Sequence, residues 1–224
     1  MPPATGSYRR HTTSESGGRS TYRGIYTSAR YRATGTLLLD ANYVWSHARN
    51  NTEDINFNAT QGNDFDREWA DAVNDRRHKA TVRATYTGVR RLTLAGIADL
   101  QSGQPINRIA YFRDLDGSGD TFGNGFLGNQ DRFYGVPRNG ERLPNAFLIH
   151  ASLGYSVPVP ATGGQSLEAR ADVFNLLNST IRSGYANGIP GGGARTQVGR
   201  PGDPIVYSSA GAPRQVQFSL RYAF

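Results

Sequence analysis

The chain has 224 residues, 37% of them hydrophobic, with 27 Gly, 12 Tyr and a net charge of +7. Soluble domains are about 45–50% apolar with Gly counted, so aromatics are the main apolar resource here, and no run of about 18 apolar residues offers a transmembrane helix. Cysteine is absent, which removes disulfides and thiolate chemistry, and the basic excess is scattered without an aromatic–basic motif, so nucleic acid is not an expected partner.

Residues 1–19 begin MPPATGSYRRHTTSESGG, which has neither an alternating pattern nor the apolar stretch of a secretory signal. They read as an extracellular loop remnant or a disordered N-terminus. A weak strand follows at 20–32. In residues 36–47, TLLLDANYVWSH, one face takes Leu37, Leu39, Ala41, Tyr43 and Trp45, and the other Asp40, Asn42 and Ser46. Residues 78–86 set Ala80, Val82, Ala84 and Tyr86 against Lys79, Thr81, Arg83 and Thr85; Lys79 is the only lysine in the chain. In 92–101, Leu92, Leu94, Ala98 and Leu100 alternate with Thr93, Asp99 and Gln101. The apolar set of 146–157 is Phe147, Ile149, Ala151, Leu153, Tyr155 and Val157, and in 166–175 Leu167, Ala169, Ala171 and Val173 alternate with Glu168, Arg170 and Asp172. The last stretch, 214–224, alternates Val216, Phe218, Leu220, Tyr222 and Phe224 with Gln215, Gln217, Ser219 and Arg221. A period of two without a helical period predicts an all-β chain of about seven strands.

The connections alternate strictly. Short turns at 33–35, 87–91 and 158–165 separate long Gly/Asn/Asp-rich loops near 48–77, 102–145 and 177–213. All short turns then fall at one end of an antiparallel up-and-down sheet, the pattern of a transmembrane β-barrel with short periplasmic turns and long outer loops. Tyr31, Tyr86, Tyr155 and Tyr222 lie close to the short-turn end. They are the expected aromatics of one membrane interface, with Trp45 and Phe147 near the other. Apolar faces this continuous call for lipid, and the charged alternate faces for a polar lumen. A turn at 88–90 would pair Tyr86 with Leu92, Ala84 with Leu94, and Lys79 with Asp99.

Three stretches invite a chemical reading. GNGFLG at 123–128 fits G-x-G-x-x-G, but lies in a long loop with no helix to receive a phosphate. DLDGSGD places Asp114, Asp116 and Asp120 as either a surface Ca²⁺ site or an Asx-rich turn; its spacing departs from an EF-hand. The four histidines, His11, His47, His78 and His150, show no i, i+4 pair, and no G-x-S-x-G elbow occurs. No enzymatic activity and no cofactor are expected. Arg76, Arg77 and His78 mark a rim where a strand leaves an outer loop, open to solvent or to lipopolysaccharide phosphates.

Five stretches together resemble a known family: YVWSHARN (43–50), DRRHKATVRATY (75–86), LQSGQPIN (100–107), DVFNLLNS (172–179) and APRQVQFSLRYAF (212–224). In order and spacing they are similar to the C-terminal barrel of TonB-dependent outer-membrane receptors, particularly the Oar-like group. The resemblance implies that Phe218, Leu220, Tyr222 and Phe224 form the signal read by the barrel-assembly machinery. It also implies a Gram-negative outer-membrane location, with membrane lipids and lipopolysaccharide as neighbours. The intact receptor would bind a scarce ligand with its outer loops and plug, and import it with energy coupled through TonB, which these strands would meet only through the plug. Plugged barrels have about 22 strands, so seven strands with two open edges imply a C-terminal portion, residues 20–224, of a larger barrel. Two other readings compete: a complete small structural or adhesive barrel of about eight strands, and a soluble β-sandwich that binds sugars.

Overall fold

The computed structural model describes residues 16–33, 35–53, 64–110, 113, 115, 132–159, 165–183, 196–207 and 209–223. Seven long strands make one antiparallel meander: β1 (Ser20–Ala33), β2 (Leu37–Asn50), β3 (His78–Tyr86), β4 (Leu92–Gln101), β5 (Ala146–Pro158), β6 (Ser166–Phe174) and β7 (Gln215–Ala223). Each strand pairs with its sequence neighbour, so β1 and β7 are the two edges of an open sheet. Short turns join β1 to β2, β3 to β4 and β5 to β6 at one end, and the long loops leave from the other.

The ladders keep the two faces separate, because residues directly opposite in an antiparallel pair share a face. One apolar row runs Leu37–Tyr86–Leu94–Leu153–Ala171–Phe218 from β2 to β7. It starts at the first residue of β2, yet meets β7 with Leu220 and Tyr222 still to come before Ala223. That slant is the stagger of tilted strands in a barrel wall. Among the described residues the apolar face carries no charged side chain between the short turns and the level of Ile25 and Trp45. Arg23 opposite His47 and Thr21 opposite Arg49 lie beyond it, at the long-loop end.

The polar face holds the charges and pairs several of them. Arg30 lies 2.5 Å from Asp40, Arg170 2.9 Å from Asp172, and Glu168 stands opposite Arg221. The β3–β4 register differs from the sequence expectation by two residues: Tyr86 pairs with Leu94, Ala84 with Gly96 and Lys79 with Gln101. Thr87 donates its backbone N–H to Thr36 of the neighbouring short turn at 2.8 Å instead of closing its own hairpin, and Arg91 takes φ 64°. The turn therefore spans 87–91, and Asp99 faces Thr81, whose hydroxyl donates to it at 2.6 Å, rather than Lys79. A slip of two leaves every side chain on its expected face.

The long loops carry their own structure. Ala70–Asp71 adds to β2; Pro105–Ile109 pairs in parallel with Thr196–Val198 and antiparallel with Glu141–Arg142; Arg182–Ser183 pairs with Ser209–Ala210. The buried apolar cluster lies here and not in the wall: Ile106 and Leu143, packed by Ile205 and Tyr207.

Candidate functional site

The interlocked loop layer is where the chain concentrates buried polar chemistry. At its centre is Arg138, whose side chain is 1% exposed. It donates to Glu53 at 2.5 Å, to the Asn50 carbonyl and amide oxygens at 2.5 and 2.6 Å, and to the Glu68 carbonyl at 3.0 Å. Glu68 ends the short 3₁₀ turn Phe65–Glu68 and accepts a 2.7 Å bond from Arg132. Asn139, at φ 54°, adds bonds to Glu53 at 3.1 Å and to the Asp71 carbonyl at 2.8 Å. Burial drives the Arg138 guanidinium below its ordinary pKa, and the charges of Glu53 and Glu68 oppose that shift.

A second cluster sits beside it. Asp75, with a fully buried side chain, accepts from the Ala48 N–H at 2.8 Å, from Arg77 at 3.0 Å and from Arg142 at 2.5 Å. Asp71 lies 2.8 Å from His47 Nε2, 2.9 Å from Arg77 and 2.6 Å from Arg142. For Asp71, burial would raise the pKa. The bonds from His47 and Arg142 and the charges of Arg77 and Arg142 outweigh it, and the carboxyl is held below its ordinary range. Ligand-type atoms of His47, Asp71 and Asp75 lie within 4.8 Å of one another. A divalent ion does not fit this set, because two guanidinium groups already occupy the carboxylate oxygens and would repel a cation. Arg77 is thus tied to both carboxylates while its side chain stays 36% exposed where the loop enters β3, and Arg76 donates to the Ser102 carbonyl at 3.0 Å.

The stretches that carried the family resemblance meet at this junction. The His78 N–H donates to Ser102 Oγ at 3.0 Å, and Tyr43 OH lies 2.8 Å from His78 Nδ1. A Cβ on Gly103 would collide with the Leu143 carbonyl, so Ser-Gly-Gln-Pro needs its glycine. In the Phe-Asn-Leu-Leu-Asn segment, Asn175 and Asn178 adopt φ 52° and 53°, a region Asn tolerates better than most residues. Asn175 Nδ2 donates to the Ser179 and Ala212 carbonyls at 3.0 and 3.1 Å, and Asn178 Oδ1 accepts the Arg214 N–H at 2.9 Å. These two side chains hold the exit of β6 against the entry of β7.

The interface aromatics Tyr31, Tyr86, Tyr155 and Tyr222 all lie on the apolar face near the short turns, 61%, 38%, 45% and 50% exposed. Trp45 and Phe147 share that face towards the long-loop end. Phe218, Leu220 and Tyr222 line the outer face of the edge strand β7. Phe224, Asp114, Asp116, Asp120 and the segment 1–15 lie outside the described residues. Sequence reasoning did not single out Arg132, Arg138 or Arg142. Their partners are far away in sequence, and the only local hint is the Asn139-Gly140 turn between two arginines.

Comparison with curated proteins and with solved structures gave no match. A family model described as Outer membrane beta barrel domain matches residues 3–217. A staggered antiparallel wall with one apolar and one charged face, short turns at one end and long loops at the other, is what that family builds. The chain belongs to the outer membrane beta barrel domain family and resides in the outer membrane of a Gram-negative cell.

Proposed function

We propose that the chain is a wall segment of a larger TonB-dependent receptor barrel that takes up a scarce ligand. The observation that carries this reading is the direction of the two edges. β1 runs from its Asn50-paired end to the short turn, and β7 runs from its Phe174-paired end the same way. Seven meandering strands therefore present parallel edges, whereas every seam in the sheet is antiparallel. Unpaired edges are not tolerated in hydrocarbon, so an odd number of further strands is needed to close the wall antiparallel. The ordered motif resemblance supports the receptor assignment, and the interlocked loops supply a rigid outer surface of the kind on which binding residues are placed.

In this role the segment lends wall strands, outer loops that meet ligand, and the terminal aromatic pattern read by the assembly machinery. Its neighbours are lipid, lipopolysaccharide, the remaining strands and a plug through which TonB acts. It binds and conducts and performs no bond chemistry. The test is to isolate the product of the native gene from outer membranes. The receptor reading expects a heat-modifiable band well above 24.4 kDa that crosslinks to TonB in energised cells. A heat-modifiable band at 24.4 kDa without a TonB adduct overturns it in favour of a complete small barrel.

A further inference from the structure

The edge strand β1 shows what must lie beside it. Its apolar face offers Ile25, Ala29 and Tyr31, and its polar face ends in Arg30 and Arg32 near the short turn. Arg30 is paired with Asp40, and Asp40 stands between Arg30 of β1 and Arg83 of β3 in the ladder, so one carboxylate lies level with two arginines. Arg32 stands opposite Leu38 and forms no ion pair with a described residue. This corner of the polar face therefore carries an excess of positive charge, whereas on β6 and β7 Arg170 pairs with Asp172 and Glu168 stands opposite Arg221.

We propose that the β1 edge is a seam for an antiparallel membrane strand that is apolar on its lipid side and carries a carboxylate on its lumen side, next to Arg30 and Arg32. Opposite charges facing each other across a strand pair stabilise it, and like charges destabilise it. A second copy of this chain is a poor occupant. Its β1, inserted in the same sense, would run parallel to this edge and set Arg30 against Arg30 and Arg32 against Arg32. Its β7 offers Gln215, Gln217, Ser219 and Arg221 on the polar face, with no carboxylate. The proposal rests on the larger-barrel reading, and it adds the chemistry by which the neighbouring strand is chosen.

The test uses Arg32→Lys in the native gene product, in its own outer membrane. Lys79 is the only lysine in the 224 residues, so coupling products within β1–β7 are few. A water-soluble carbodiimide activates a carboxylate, the amine introduced at position 32 attacks it, and an amide forms as the urea leaves, with net loss of water. The expected result is an amide from position 32 to an Asp or Glu in a peptide outside β1–β7, found by mass spectrometry in the heat-modifiable band. A folded band with no adduct at position 32, an adduct to Asp40 alone, or an adduct to a second copy of β1–β7 overturns the proposal. None of these outcomes depends on the TonB adduct or on the mass of the band before coupling, so the receptor reading is judged separately. As a second measurement, Arg32→Glu is expected to lose most of the heat-modifiable band while Arg32→Gln keeps it. Equal yields of the two also overturn the proposal.

Discussion

The wall and the loop layer solve opposite burial problems. In the wall the large apolar side chains point away from the protein, and Phe218 and Leu220 are 80% and 73% exposed. In the loop layer Ile106 and Ile109 are fully buried together with charged Arg108, Glu68 and Arg138. The wall leaves its apolar core to the bilayer and keeps charge for the lumen. The loop layer has only itself and water, and it builds a small core cross-braced by ion pairs. That division explains how a chain with mean hydropathy −0.55 belongs in a membrane: its exposed apolar residues gather on one face of the strands, and its loops set buried charge around a small apolar cluster. The two regions should therefore fail independently.

The largest expected effect is in the loop layer. Arg138→Met removes the cation between Glu53 and Glu68 and leaves both carboxylates buried without it, a change that typically costs about 3–5 kcal/mol. Proteinase cleavage of the outer loops in intact outer membranes should rise sharply while the heat-modifiable wall survives. Equal loss of both would show that the layers are one cooperative unit. The converse break is Val82→Arg, which places a charge on the lipid face opposite Ala41 and Ala98, between the two ends of β3. Near the bilayer midplane that costs about 2–4 kcal/mol. Heat-modifiable yield should fall, while loop protection in the fraction that does assemble stays as in the parent.

The same division decides what was legible in the sequence. Six strands and their lipid and lumen faces follow from period-two alternation, with β1 legible only as a weak strand, because a wall residue's surroundings are set by its immediate neighbours in sequence. Even the error in the β3–β4 register moved no residue to the wrong face, since the slip was of two. The loop layer has no such period. Arg138 meets Glu53 across 85 residues and the Glu68 carbonyl across 70, separations that no local pattern records. In sequence Arg77 reads as a rim charge and Asp71 and Asp75 carry no reading, and only the fold shows both carboxylates shared between Arg77 and Arg142. The motif stretches lie in between. Their order carries a family resemblance, but their physical task, joining strand ends to loops through His78, Ser102, Gly103 and Asn175, emerges only in three dimensions.

Asn175→Ala acts at one of those joints. It deletes the bonds to Ser179 and Ala212 and puts a Cβ-only residue at φ 52°, for a cost of about 1–2 kcal/mol. Hydrogen exchange should quicken at residues 175–179 and at the start of β7, and not in β2 or β3. Spread of the effect across the sheet would make Asn175 part of the wall and not of the joint.

The smallest effect is a pH dependence confined to the loop layer. The Asp71 carboxyl is held below the ordinary 3.8 by His47, Arg142 and Arg77 despite its burial. A carboxylate whose folded pKa is depressed contributes stability that is fully present above its unfolded pKa and is lost as pH falls through the folded value. Loop protection should therefore be flat from neutral pH to about pH 5 and should weaken only below the ordinary carboxylate range, as Asp71 protonates and releases Arg142 and Arg77. Asp71→Asn should already show weaker protection at about pH 7 and a shallower fall on acidification. Among the described residues the apolar face of the wall carries no Asp, Glu, Lys or Arg within its lipid-facing band. If wall and loop layer weakened together below about pH 4, the two layers would be coupled through acid, and the comparison between the two regions would have to be redrawn around the lumen.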